Sequence, residues 1–182
     1  MKSMSMKILK SAFRYGLIGG LIMNLSWWLS YTFFKEEMES FKFENGELLG
    51  YLIMILAMST VFIGIRNYRN AQLEGYIGFG QAFKVGLHIV LVASVIYVVG
   101  WMIYYYTMIP DFTERYMAHE IEKIQSSGQS QETIESQIAE VKSFSDMYKN
   151  PLIMAGITFL EIFPLGLIIS LLSALILKKK PK

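Results

Sequence analysis

The sequence has no cysteine, and its 182 residues include only two histidines and four prolines. Without cysteine there is no disulfide framework, thiolate nucleophile or cysteine metal cluster, which leaves the redox compartment open. Neither His88 nor His119 sits in an HExxH or similar spacing, and no Ser/His/Asp or Cys/His constellation occurs. Paired carboxylates on one face of an apolar helix are also lacking, so neither an enzyme nor a metal or cofactor site is expected. Charge is scarce as well. Charged residues make up 18% of the chain against 53% hydrophobic, too apolar for a water-soluble domain of this length. The expected class is an integral membrane protein with the lipid bilayer as its surroundings.

Four runs are apolar enough to read as spans, at about 15–34, 48–65, 85–108 and 152–177. The first follows a basic segment, Met1 to Arg14, and exits through Trp27, Trp28 and Tyr31. It is too long for the core of a cleaved signal peptide and reads as a retained anchor. Within it Gly16, Gly20 and Asn24 fall four apart on one stripe, a pattern that lets helices approach closely. Asn45-Gly46 offers a turn and N-cap before the second span, whose Ser59 and Thr60 are expected to bond back to their own helix. The third span ends in Trp101 and Tyr104 to Tyr106, an aromatic belt suited to a headgroup boundary, and is stopped by Pro110. The fourth carries Glu161 and Pro164 near its middle and ends in Lys178 to Lys180.

Between the third and fourth spans, 111–150 is polar, with eight acidic and four basic residues. Phe112, Tyr116, Ile121 and Ile124 recur at helical spacing, as do Ile134, Ile138, Val141 and either Phe144 or Tyr148. A helical hairpin outside the membrane is expected, with Gly128 as a stop, Ser130 as an N-cap, and Asn150-Pro151 starting the last span. The fold class is therefore all-α: a four-transmembrane-helix bundle with an extramembrane hairpin, one domain over 1–182. Of the 17 basic residues, eleven lie in the amino-terminal segment, the 66–84 connection and the tail. These alternate with two acidic segments, so both termini are expected in the cytoplasm.

Gly64 to Leu87, Ile103 to Phe112 and Asn150 to Leu177 resemble an uncharacterised bacterial membrane family, domain of unknown function 4199. The likeness is carried by Tyr68, Gly75, Phe79, Ala82 and Gly86, by Pro110, and by Glu161, Pro164 and Gly166. It implies a bacterial inner membrane location and four spans, and supplies no activity.

Three sets of residues are candidates. An ionised carboxylate at the depth of Glu161 costs about 2.5–3.5 kcal/mol, so this residue is expected to face protein or water. It reads either as a proton or cation relay or as a protonated carboxyl tied to a neighbouring helix. Pro164 leaves the Leu160 carbonyl without a helical donor beside it, and Asn24, also near the midplane, is the partner that depth allows. On an ideal helix Gly166, Ser170 and Ala174 form a small-residue stripe about 140° from Glu161. Arg66, Arg69 and Lys84, with Gly75, Gly78 and Gly80 between them, read as a contact for anionic lipid in preference to a nucleotide site. Nucleic-acid binding has no support, because topology already accounts for the basic residues. Two functions follow as expectations: a non-catalytic accessory protein binding a membrane protein or a second copy of itself, or a small oligomeric transporter with Glu161 and Asn24 in its path.

Overall fold

The computed structural model describes residues 2–33 and 44–180, with side chains over 6–33 and 48–180. Most of the acidic connection expected over 35–47, together with the end of the first apolar run at Phe34, lies outside these residues. The described chain is all-helical: α1 Lys2–Phe33, α2 Glu44–Gln72, α3 Phe79–Met108, α4 Phe112–Gln125, α5 Gln131–Tyr148 and α6 Pro151–Leu177.

Three of these helices, α2, α3 and α6, are long and apolar enough to cross a membrane, which corrects the expectation of four. The reason lies in the composition of α1. Its apolar stretch is diluted by Gly16, Gly19, Gly20, Asn24, Ser26 and Ser30 and by the amphipathic rings of Trp27, Trp28 and Tyr31. Several boundaries also differ from the apolar runs. Helix α1 begins in the basic segment and α2 continues past Ile65 to Gln72, because Lys, Arg, Met, Ala and Gln propagate a helix whether or not they are apolar. Asn45-Gly46 lies inside the first turn of α2, so the turn expected there does not form.

The chain divides into two compact units, one of residues 1–100 with 159–182 and one of residues 101–158. The first unit is a helical bundle whose core includes Met23 from α1, Met58, Val61 and Ile65 from α2, Ile89, Val90 and Tyr97 from α3, and Ile162 from α6. Small residues bring its helices together. A Cβ on Gly16 would lie 2.6 Å from Val92 Cβ, and one on Gly20 2.7 Å from Ile96 Cβ, so the expected stripe of α1 seats directly on α3. The α6 stripe is buried in the same way. Gly166 leaves no room beside Val90, and a Cβ on Gly86 would stand 2.2 Å from Ser170 Oγ. Thr60 Oγ1 donates to Ala57 O at 2.8 Å, the back-bond expected of it.

The second unit is held differently. Helix α4 packs on α5 as a hairpin. Gly128 has a φ of +70°, a left-handed conformation that a residue with a Cβ adopts only at a cost, and Ser130 Oγ accepts from Thr133 N at 3.3 Å as the N-cap of α5. At the start of α6, Asn150 Oδ1 accepts from Leu152 N at 2.9 Å. Trp101, Tyr104 and Tyr105 are buried here rather than turned outward as a belt, and Tyr106 alone of the four is exposed. Trp101 meets Phe112 edge-on at 5.6 Å, and its Nε1 donates to Tyr148 Oη at 2.8 Å. Tyr105 Oη and Thr113 Oγ1 share a hydrogen bond of 2.7 Å. Between the alternatives for the inner residue of α5, Tyr148 is buried and Phe144 exposed.

Candidate functional site

The polar residues of the bundle have definite places. Asn24 Nδ2 donates to Gly20 O at 3.0 Å and to Ile96 O at 2.9 Å, crossing from α1 to α3. A Cβ on Gly100 would lie 2.1 Å from Asn24 Oδ1, so this amide occupies the space that glycine leaves on α3. Those two bonds use both amide hydrogens. Asn24 thus ties α1 to α3.

Glu161 lies on the exposed side of α6, while Gly166, Ser170 and Ala174 are buried, the opposition that the helical geometry predicts. Pro164 is exposed too, and α6 is helical through it from Pro151 to Leu177. Among the described residues the interior of the unit is otherwise apolar except for the hydroxyls of Thr60, Ser94, Ser170 and Ser173. The structure therefore places Glu161 and Asn24 in different surroundings: one on the outer face of a helix, the other in a helix contact.

The third set gathers at one end of the first unit. Arg69 is partly buried, and its Nη1 donates to Leu177 O at 3.1 Å, one of the last carbonyls of α6 that lack a partner within their own helix. Its Nε donates to Asn70 Oδ1 at 3.0 Å. A cation at a helix C-terminus also meets the negative end of the helix dipole. Arg66 and Lys84 are exposed. The connection after α2 turns through Glu74 and Gly75, with φ of 52° and 89°, and then pairs with the tail in an isolated bridge. Ile77 N donates to Lys179 O at 3.0 Å and Lys179 N to Ile77 O at 2.9 Å. The beginning of α1 belongs to the same end, because Asn67 Nδ2 of α2 donates to Tyr15 Oη. The 66–84 connection and the tail are thus joined, and Tyr15, which follows the basic segment 2–14, is tied to α2. Their charges suggested a shared side of the membrane, but their contacts were not legible in the sequence.

Residues 14–179 match the family described as protein of unknown function (DUF4199). The chain belongs to that family. No curated protein and no solved structure matches it. For this family member the residues that carried the resemblance now have physical roles. Gly75 supplies a left-handed turn, Gly86 and Gly166 allow α3 and α6 to touch, and Tyr68 and Ala82 are buried in the core of the bundle. Glu161 and Pro164 are exposed on α6.

His88 Nδ1 lies 2.7 Å from Lys84 O, one turn earlier in α3, which satisfies the ring at the start of the helix. Among the described residues no group of histidine and carboxylate side chains is placed to hold a metal ion. In the second unit, Lys149 donates to Asp146 Oδ1 at 2.9 Å, and this hydrogen bond, with the charge of Asp146, raises the Lys149 pKa above its ordinary value of 10.5.

Proposed function

We propose that this is a multi-pass protein of the bacterial inner membrane with a non-catalytic, accessory role, binding another membrane protein or a second copy of itself. In this reading α1 enters the bilayer beside α2, α3 and α6 despite its diluted composition, and both termini are cytoplasmic. The seating of Gly16, Gly20 and Asn24 on α3 supports the first point, since a polar side chain whose donors are satisfied by a neighbouring helix is tolerated in lipid. The joining of the 66–84 connection to the tail, with Tyr15 tied to α2, supports the second. The polar hairpin of 111–150 is extracytoplasmic in this reading, where a partner can reach it.

The observation that carries the accessory reading is the filled interior. Met23, Met58, Ile65, Ile89 and Tyr97 are fully or almost fully buried in one cluster, and Asn24 is committed to backbone carbonyls. Among the described residues the buried polar side chains of this unit are the hydroxyls of Thr60, Ser94, Ser170 and Ser173, and none carries a charge.

A transporter reading keeps one specific support, the position of Glu161 on the outer face of α6, where a path would lie between copies. Proton and ion flux in liposomes separates the two. We expect the wild type and Glu161→Gln to be equally silent. Flux that the substitution abolishes would replace the accessory role with transport.

A further inference from the structure

Trp101, Tyr104 and Tyr105 are buried at the end of α3, while Tyr106 stands at the edge of the same aromatic cluster. Tyr106 is 51% exposed and meets Tyr105 edge-on at 5.1 Å. Tyr105 lies 6.1 Å from Tyr148, and Tyr148 stacks on Phe144 at 5.9 Å, with Phe144 itself 41% exposed. This line of rings begins and ends on exposed side chains. It also fixes a level: Tyr105 belongs to the last turn of α3, so Phe144, two ring contacts away, stands beside the end of that helix and not far out along the hairpin. Met147, 48% exposed, follows Phe144 by three residues on the same side of α5, and only Lys149 and Asn150 separate α5 from α6.

The ridge of α5 that carries these two side chains changes character along its length. At the four- and three-residue steps of one helix face it reads Thr133, Gln137, Glu140, Phe144 and Met147. It is polar towards the tip of the hairpin and apolar only in the last turns before α6. A stripe that lays a helix against a partner repeats its apolar anchors from end to end. A helix emerging from a bilayer instead loses them where the headgroups give way to water.

We infer that the base of the hairpin rests in the headgroup layer of the bilayer, with Tyr106, Phe144 and Met147 as its contacts. The inference rests on the reading of α3 and α6 as spanning helices, which puts the end of one and the start of the other at the membrane boundary. There Phe144 and Met147 leave water for the upper part of the lipid, and the amphipathic ring of Tyr106 keeps its hydroxyl among the headgroups. The aromatic boundary is thus made by one residue of the run at the end of α3 together with side chains from α5. The polar ridge from Thr133 to Glu140 and the turn at Gly128 remain above it, as the surface open to a partner.

Because the chain has no cysteine, a single introduced one takes a nitroxide label cleanly. The full chain, carrying in turn Phe144→Cys, Met147→Cys, Gln137→Cys, Glu140→Cys or Ile103→Cys and reconstituted in phosphatidylcholine and phosphatidylglycerol vesicles, tests the inference by spin-label collision. Oxygen concentrates in lipid, and a nickel chelate stays in water. Labels at Phe144 and Met147 should collide more with oxygen than with nickel, those at Gln137 and Glu140 more with nickel, so that the preference reverses between Glu140 and Phe144. Nickel access at Phe144 and Met147 equal to that at Glu140 would overturn the inference. Shielding of both positions from both reagents would overturn it too, and would assign the patch to a protein partner or a second copy. Ile103, 51% exposed on α3, separates this from the membrane reading beneath it. A label there that nickel reaches would overturn α3 as a span; oxygen access at Ile103 with nickel access at Phe144 would sink the headgroup contact alone.

Discussion

The two units of this chain solve the same problem, holding helices together, with opposite materials. In the bundle of 1–100 and 159–182 the contacts are made by what is missing: glycine, serine and alanine at four-residue spacing let backbones approach until a single methyl would collide. In 101–158 the contacts are made by the largest side chains, Trp101, Tyr105, Phe112 and Tyr148, joined by hydrogen bonds between their polar edges. The first arrangement suits helices surrounded by lipid, where apolar side chains gain little by leaving their surroundings and close packing has to supply the attraction. The second suits a segment half in water, where large rings gain from burial and their polar atoms need partners.

The comparison fails if the units respond alike to the same kind of change. The largest effect is expected for Gly86→Leu, because a Cβ there already stands 2.2 Å from Ser170 Oγ. Overpacking of this kind should cost about 3 kcal/mol, visible as a lowered unfolding midpoint in detergent. Next is Tyr148→Phe, which keeps the ring but removes the acceptor of the buried Trp101 indole at 2.8 Å. A loss of about 1–3 kcal/mol is expected, with faster amide exchange confined to 101–158. Gly156→Ala sharpens the contrast, since a Cβ at that position of the second unit meets nothing within 4 Å. Alanine there should raise stability by about 0.5–1 kcal/mol through helix propensity, the reverse of Gly86.

The smallest effect concerns Lys149. Its raised pKa means that Asp146 favours the charged amine in the folded state. The stabilisation is therefore complete below pH 10.5, the ordinary lysine value, and is lost as pH rises through the higher folded value. Asp146→Asn should return the Lys149 titration, followed by nuclear magnetic resonance, towards the ordinary lysine value.

Legibility followed the same division. The stripes on α1 and α6 were readable because small-residue spacing translates directly into a helix face, and Ser130, Gly128 and Asn150 were readable because caps and stops are local. The hairpin was visible as a polar segment with helical periodicity. The inward turn of Trp101 and Tyr105 was hidden, because an aromatic run at the end of an apolar helix has the same sequence whether it faces headgroups or a folded hairpin. Asn24, Trp27 and Trp28 dilute the apolar character of α1, so that three helices and not four are apolar enough to span, while the spacing of Gly16, Gly20 and Asn24 fits α1 to α3. The bridge between Ile77 and Lys179 is a contact across 102 positions that no local pattern records. Glu161 was legible by its charge, and its opposition to the Gly166, Ser170 and Ala174 stripe by helical spacing, but which of the two sides is buried emerged only from the packing.

The central proposal is that α1, less apolar than the three helices long and apolar enough to span, crosses a membrane beside them with the basic segments at one face. Reporters that fluoresce only in the cytoplasm, fused in separate proteins before Met1 and after Lys182, test it most directly. Both should fluoresce. A stably expressed pair in which one is bright and the other dark would mean that α1 does not cross, and would contradict the account.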